Sequence, residues 1–189
     1  MVKKIVLLVI ILIVLSLAVG GFFYWQQNQA DVKELNKTLP EGVKVAKSLI
    51  GNEYKVVNKI DGYEFKIPPE WQGVKEIEYT SERTIEDMKV TSVGIEGLEG
   101  VGRIMSIDVY TVNQLDINLE NWAENLLNKF GLFGELVQEN VGKYNVLSMV
   151  EKEHLGGTYL YFLKNILKVY ILNGTSKELI RYIITHGKW

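Results

Sequence analysis

The chain has 189 residues, of which 47% are hydrophobic and 23% are charged; it carries a formal net charge of -2 and no cysteine. This apolar content and small charge exclude a disordered chain. The absence of cysteine excludes disulfides, thiolate zinc sites and a catalytic thiol. A near-neutral charge gives no global attraction to nucleic acid, so we expect no nucleic-acid partner.

An uncharged apolar segment, residues 5–25, comes first along the chain. A membrane-spanning helix needs about 20 mainly apolar residues, and this segment has that length. Lys3 and Lys4 precede the segment, and aromatic residues crowd its far end at 22–25, where rings favour the headgroup layer. We therefore expect a cytoplasmic tail at residues 1–4, a transmembrane signal-anchor helix at 5–25, and the bulk of the chain outside the cell membrane.

Two alternatives compete with a retained anchor. A cleaved signal peptide has the same basic start and apolar core, and small-residue patterns ending at Ala18 and Gly20 would suit cleavage and secretion. The apolar run continues past both positions into the aromatic cluster, which favours retention. A buried core helix of a soluble protein is disfavoured because the segment does not alternate with polar residues.

Residues 26–52 are polar at first and then broken by Pro40, Gly42 and Gly51. This pattern predicts a spacer, with a short helix at 43–50. The compact domain is expected to occupy residues 53–189, which is long enough for one packed core.

Within that domain most patterns have a period of two, which is typical of strands. Asp61 and Gly62 separate two such segments, at 54–60 and 63–67, and predict a hairpin with a two-residue turn. The other predicted strands are 74–79, 88–95, 103–112, 135–141, 144–153, 158–163 and 167–172.

Two segments have a period of 3.6 and predict helices. The first is 119–130, with Asn118 as its N-cap and Gly131 as its stop. The second follows a capping box from Thr175 to Glu178 and ends at Gly187. The sequence thus predicts an α+β protein in which a transmembrane helix precedes a mainly antiparallel β-sheet domain sandwiched by helices.

The first hairpin carries a motif of glycine, aromatic and proline residues followed by tryptophan. Its positions are Gly62, Tyr63, Phe65, Ile67, Pro68 and Trp71. The motif resembles the opening of PsbP-like domains, relatives of the extrinsic PsbP protein of photosystem II that include anchored or secreted prokaryotic proteins of unknown role. The resemblance covers about residues 53–189. It implies an antiparallel sheet sandwiched by helices. In the best-known member of the family this fold is a non-catalytic scaffold that docks on a membrane complex, and no functional residue carries over to this chain.

No pattern in the sequence points to a metal, a cofactor or a catalytic group. His154 and His186 are isolated from each other and from any cysteine, so a transition-metal site is not expected. Asp116, Glu120 and Glu124 recur every four residues, which is typical of a solvated helix N-terminus. No serine lies in a Gly-x-Ser-x-Gly motif, so we expect no enzyme.

A glycine-rich stretch at 94–102 contains Glu96 and Glu99. It leads into a strand and carries acidic residues, so a loop between strands is favoured over a phosphate cradle. Because binding residues concentrate in loops, Glu96 and Glu99 are candidate partner-binding residues.

Three tyrosines are further candidates for partner binding. Tyr159, Tyr161 and Tyr170 fall on neighbouring predicted strands, where aromatic rings can stack on a ligand. The alternative is that they pack one face of the sheet.

The function expected from these patterns is a single-pass anchored, non-catalytic binding or assembly module with a protein partner at the envelope. Two alternatives stay open: an extracytoplasmic hydrolase whose carboxylates converge only in the folded chain, and a purely structural envelope component.

Overall fold

The computed structural model describes residues 2–48, 53–68, 71, 74–85, 88–97, 102–151 and 157–189. The helices are α1 (Val2–Leu35), α2 (Leu119–Lys129) and α3 (Lys177–His186). The strands are β1 (Val43–Lys47), β2 (Tyr54–Asn58), β3 (Tyr63–Ile67), β4 (Val74–Ile85), β5 (Met88–Gly97), β6 (Arg103–Thr111), β7 (Val137–Val141), β8 (Tyr144–Glu151), β9 (Thr158–Asn165) and β10 (Lys168–Gly174).

The strands form two antiparallel sheets. One has three strands in the order β1-β2-β3, and the other has seven in the order β4-β5-β6-β10-β9-β8-β7. The expected combination of an N-terminal apolar helix, antiparallel sheet and few helices is confirmed.

Buried side chains lie on both faces of the seven-stranded sheet. One face packs against the three-stranded sheet and α3, through residues such as Ile107, Phe65 and Ile180. The other face packs against α2, where Phe162 contacts the cluster that contains Ala123. Strand residues alternate between the two faces, which explains why β6 and β10 carry apolar side chains in both directions.

Helix α1 has 34 residues and is therefore about 51 Å long. Within the described part of the chain, α1 is the one helix that is both long enough and apolar enough to cross a membrane. The side chains of residues 10–26 are all exposed, unlike those of a buried core helix. At the opposite end of α1, Val32 and Leu35 are buried in the core between the two sheets.

The prediction of a short helix at 43–50 is wrong over Val43–Lys47, because these residues form β1. Val43 and Val45 are buried while Lys44 and Ala46 are exposed, so this segment follows the period of a strand and pairs with β2. The expected spacer therefore contributes a strand to the sheet and side chains to the core. Residues 49–52 lie outside the described part of the chain.

The two-residue turn predicted at Asp61 and Gly62 is also wrong. Asn58 pairs with Tyr63, so four residues connect β2 and β3. The side chain of Asn58 closes this loop, since it donates to the Asp61 carboxylate at 2.7 Å and accepts from the Asp61 N–H at 3.0 Å. Gly62 completes the loop with a φ of +81°, a conformation that favours glycine.

The N-cap of α2 is the residue predicted from the sequence, whereas the N-cap of α3 lies one residue later than predicted. Asn118 caps α2 as predicted, since its side chain accepts from the Asn121 N–H at 3.0 Å. At α3 the cap is Ser176 and not Thr175, because the Ser176 hydroxyl accepts from the Leu179 N–H at 3.2 Å.

Candidate functional site

An open cleft of about 530 Å³ lies where β7, β8 and β9 meet the start of α3. Its sheet side is formed by Val137, Glu139, Ser148, Val150, Tyr159 and Tyr161. Phe133 from the segment before β7 and Lys177 from α3 also line it.

Strand register explains why these side chains share one face. Ser148 of β8 pairs with Val137 on one side and with Tyr161 on the other. Since side chains two residues apart point the same way, Glu139 and Tyr159 join them on the cleft side of the sheet.

Glu139, which lines the cleft, forms an ion pair with Arg181 of α3. Burial acts to raise the pKa of Glu139, but hydrogen bonding from Ser148 and Arg181 outweighs burial and holds the pKa below its usual value. The pair is therefore charged at neutral pH, and its two charges balance.

Tyr161 lies beside this pair and is only 1% exposed. Its hydroxyl is buried and forms no hydrogen bond of normal geometry with the described residues. Burial raises the pKa of Tyr161 above its usual value. This hydroxyl is not accessible from the cleft, so Tyr161 contributes packing beside the Glu139–Arg181 pair rather than a contact for a bound group.

The structure brings together two of the three tyrosines predicted to bind a partner. Tyr159 and Tyr161 line the cleft, whereas Tyr170 is buried in an aromatic cluster, 5.5 Å from Trp189 between ring centroids. The Tyr170 hydroxyl donates to the Asp61 carbonyl at 3.2 Å, and burial raises its pKa to about 12. Tyr170 thus matches the packing alternative.

Glu96 lies on β5, away from the cleft-lining residues. Its carboxylate accepts from Arg103 Nε at 2.7 Å, and the same guanidinium contacts Glu78 at 2.8 Å. Gly94 leaves room for this guanidinium, because a Cβ there would lie 3.1 Å from it. Glu99 lies outside the described residues.

His186 ends α3, where its ring stacks on Tyr182 with centroids 4.1 Å apart. Its Nδ1 lies 2.9 Å from the Tyr182 carbonyl oxygen. His154 lies outside the described residues.

Acidic side chains in the described part of the chain do not cluster in a way that suits a metal. Within the described ranges, no group of three His, Cys, Asp or Glu residues is placed to hold a metal ion. Asp116, Glu120 and Glu124 are exposed at the start of α2.

A second polar cluster lies on the opposite face of the seven-stranded sheet. The Asp108 carboxylate accepts hydrogen bonds from the Ser92 hydroxyl and, at 3.4 Å, from the Asn173 amide. Burial raises the pKa of Asp108, although the bond from Ser92 and the charges of Arg83 and Arg103 act in the opposite direction.

The sequence patterns did not identify Ser148 and Glu139 as cleft residues, or Arg181 as the ion-pair partner of Glu139. They lie on β8, β7 and α3, and the ion pair joins residues 42 positions apart. The local sequence feature that could have identified two of these residues is that Glu139 and Ser148, both polar, occupy inward-facing positions of their strands.

The charge state of Glu139 does not suit a general acid. A general acid needs a raised pKa, whereas the pKa of Glu139 is lowered and its charge is neutralised by Arg181. Tyrosine rings, a balanced ion pair and exposed apolar side chains suit a ligand that has both polar and apolar groups.

Comparison with protein-family models found no family that matches the chain, and comparison with curated proteins found no match.

Proposed function

We propose that this protein is a single-pass membrane-anchored, extracytoplasmic binding or assembly module that holds a partner in the cleft beside α3. The observation that carries this proposal is the continuity of α1. The helix runs unbroken from the apolar segment to Val32 and Leu35, which are buried in the domain core. A domain joined in this way is held close to the bilayer and presents its cleft at a fixed distance from it.

The anchor and its direction are supported by the pattern of the helix. The side chains of its apolar segment are exposed over residues 10–26, which suits lipid and would be unfavourable in water. Lys3 and Lys4 precede the segment, and basic flanks stay in the cytoplasm, so the domain lies outside.

We further propose that the domain is PsbP-like, with its sheet sandwiched between layers that include helices. The burial of Tyr63, Phe65 and Ile67 supports a structural role for the motif. Trp71 is partly buried and packs against the same core.

The proposal is tested with the full chain carrying a C-terminal tag. The protein should stay in the membrane pellet after alkaline extraction, and protease added to intact spheroplasts should remove the tag. A matched variant, Leu12→Arg with Val14→Arg, should weaken insertion, since each central arginine costs about 2.5–3.5 kcal/mol. A protected tag, or a mature form that begins near residue 19, would contradict the anchored arrangement.

A further inference from the structure

We infer that the outer edge of β7 is a docking site for an extended segment of a partner protein. This segment would add a strand to the seven-stranded sheet and place alternate side chains in the cleft. The inference rests on the proposed binding function and specifies how the cleft is used.

Both edges of the three-stranded sheet are covered. At β1 the Asn36 side chain accepts from the Val45 N–H at 2.9 Å and donates to the Val45 carbonyl at 2.8 Å. At β3 the backbone of Glu64 exchanges two hydrogen bonds with Lys188, at 3.0 and 2.8 Å. Neither strand offers a continuous edge to another chain.

The β4 edge of the larger sheet carries the features by which proteins prevent strand pairing. Its pairing with β5 shifts register twice, between Val74 and Glu76 and between Thr80 and Arg83. Its exposed side chains are rich in charge. They include Lys75, Glu76, Glu78, Glu82 and Arg83.

The β7 edge has neither register shifts nor a row of exposed charged side chains. Its pairing with β8 is regular over five residues, and its single charged side chain, Glu139, is paired with Arg181. Among the described residues, no backbone hydrogen bond reaches its outer side.

The hydrogen-bond pattern identifies which groups are available. Val141 and Tyr144 flank a two-residue turn, so they exchange both backbone hydrogen bonds, and bonded pairs then alternate along the ladder. The backbone N–H and C=O of Gln138 and Asn140 therefore point away from β8. An incoming strand would pair with these two residues.

The cleft indicates the chemistry of that strand. Phe133, Val137 and Val150 are 60%, 49% and 38% exposed around it, whereas Gln138 and Asn140 are exposed on the opposite face of β7. A strand has alternate faces, so the segment that fits has apolar side chains on the cleft side and polar ones on the other.

A second copy of this chain fits less well. Antiparallel self-pairing of Gln138 with Asn140 would place Glu139 directly opposite the Glu139 of the other copy. Each Glu139 is already paired with its own Arg181, and the other copy would bring this charged side chain, rather than an apolar one, to the cleft side.

The test uses the full-length protein in nanodiscs and a fluorescein-labelled nonapeptide of alternating valine and threonine with a lysine at each end. Asn140→Pro removes one outward N–H while leaving the bonds to β8, and proline is tolerated at such edge positions. We expect Asn140→Pro to weaken peptide binding at least tenfold. The matched variant Asn140→Ala keeps the N–H and should bind within twofold of the unaltered protein.

Hydrogen exchange provides a readout that needs no variant. The Gln138 and Asn140 amides should exchange fast in the free protein and slow at least tenfold with peptide bound. Peptide binding that survives Asn140→Pro and leaves these amides unprotected would overturn strand pairing while leaving the cleft as a binding site. Absence of peptide binding, or dimers that protect the same amides without peptide, would also overturn it.

Discussion

The side chain of Asn36 forms two hydrogen bonds with the backbone of Val45, one to its N–H and one to its carbonyl oxygen. Asn36 directly follows α1, and Val45 is the central residue of β1. The amide therefore takes the place of a neighbouring strand and joins the apolar helix to the sheet. Through this contact the domain begins immediately where the helix ends.

Replacement of Asn36 by alanine should lower the free energy of unfolding. Two part-buried backbone groups of Val45 would lose their partner, a loss worth about 1–3 kcal/mol. Urea unfolding of the protein in non-ionic detergent measures this change. Lys37→Ala is the control, because its ion pair with Glu34 is exposed and should change stability by less than about 1 kcal/mol. Equal free energies of unfolding for Asn36→Ala and Lys37→Ala would contradict the conclusion that Asn36 joins α1 to β1.

A chain that begins at residue 53 should be less stable than one that begins at residue 26. The shorter chain lacks β1 and the buried side chains of Leu35 and Val45, each of which contributes about 1.5–3 kcal/mol by burial. Thermal unfolding followed by circular dichroism compares the two. Equal midpoints would mean that residues 26–52 are a spacer after all.

Phe65→Ala should destabilise the domain by about 3–5 kcal/mol, because a fully buried aromatic side chain leaves a cavity. Phe65 is 1% exposed and stacks on Trp189. Trp71→Ala should have a smaller effect in the same direction, since Trp71 is only partly buried. Lys66→Ala, which breaks a pair with Glu53, should change stability by less than about 1 kcal/mol. Urea unfolding gives all three values, and a Phe65→Ala variant of unaltered stability would contradict the packing.

Asp108→Asn should make the protein more stable at neutral pH. Because burial raises the pKa of Asp108 in the folded state, the folded protein holds this proton more tightly than the unfolded chain does. Stability is therefore lost as pH rises through the unfolded and then the folded pKa, and an uncharged amide avoids that loss. The gain should vanish below about pH 4, near the unfolded pKa of aspartate. Unfolding measured at pH 7 and at pH 3.5 tests this, and a destabilised variant at pH 7 would contradict it.

Local patterns predicted the elements whose ends are set by nearby residues. The Asn118 cap of α2 depends on a contact three positions away, and it was predictable. Strand β1 was missed: Val43 and Val45 do alternate with Lys44 and Ala46, but pairing with β2 and the contact with Asn36 complete the strand. The two-residue turn was mistaken because a side-chain contact of Asn58 closes a longer loop.

The residues of the candidate site were also predictable only in part, because local patterns do not reveal contacts between residues that are distant in sequence. A period of two places Tyr159 and Tyr161 on one face, but the same pattern fits Tyr170. Contacts with Tyr63 and Trp189, both distant in sequence, bury the Tyr170 ring away from the cleft. The ion pair of Glu139 with Arg181 joins a strand to a helix and leaves no local signature.

The measurement that tests the binding proposal most directly is photo-crosslinking in intact membranes. A photoreactive phenylalanine analogue would replace Tyr159 in the cleft or, as a control, Tyr79 on β4. Both residues are partly buried against the same core, but only Tyr159 lines the cleft. We predict a discrete higher-mass adduct from position 159 and none from position 79. No adduct at position 159, or equal adducts at both positions, would contradict the proposal that the cleft binds a partner.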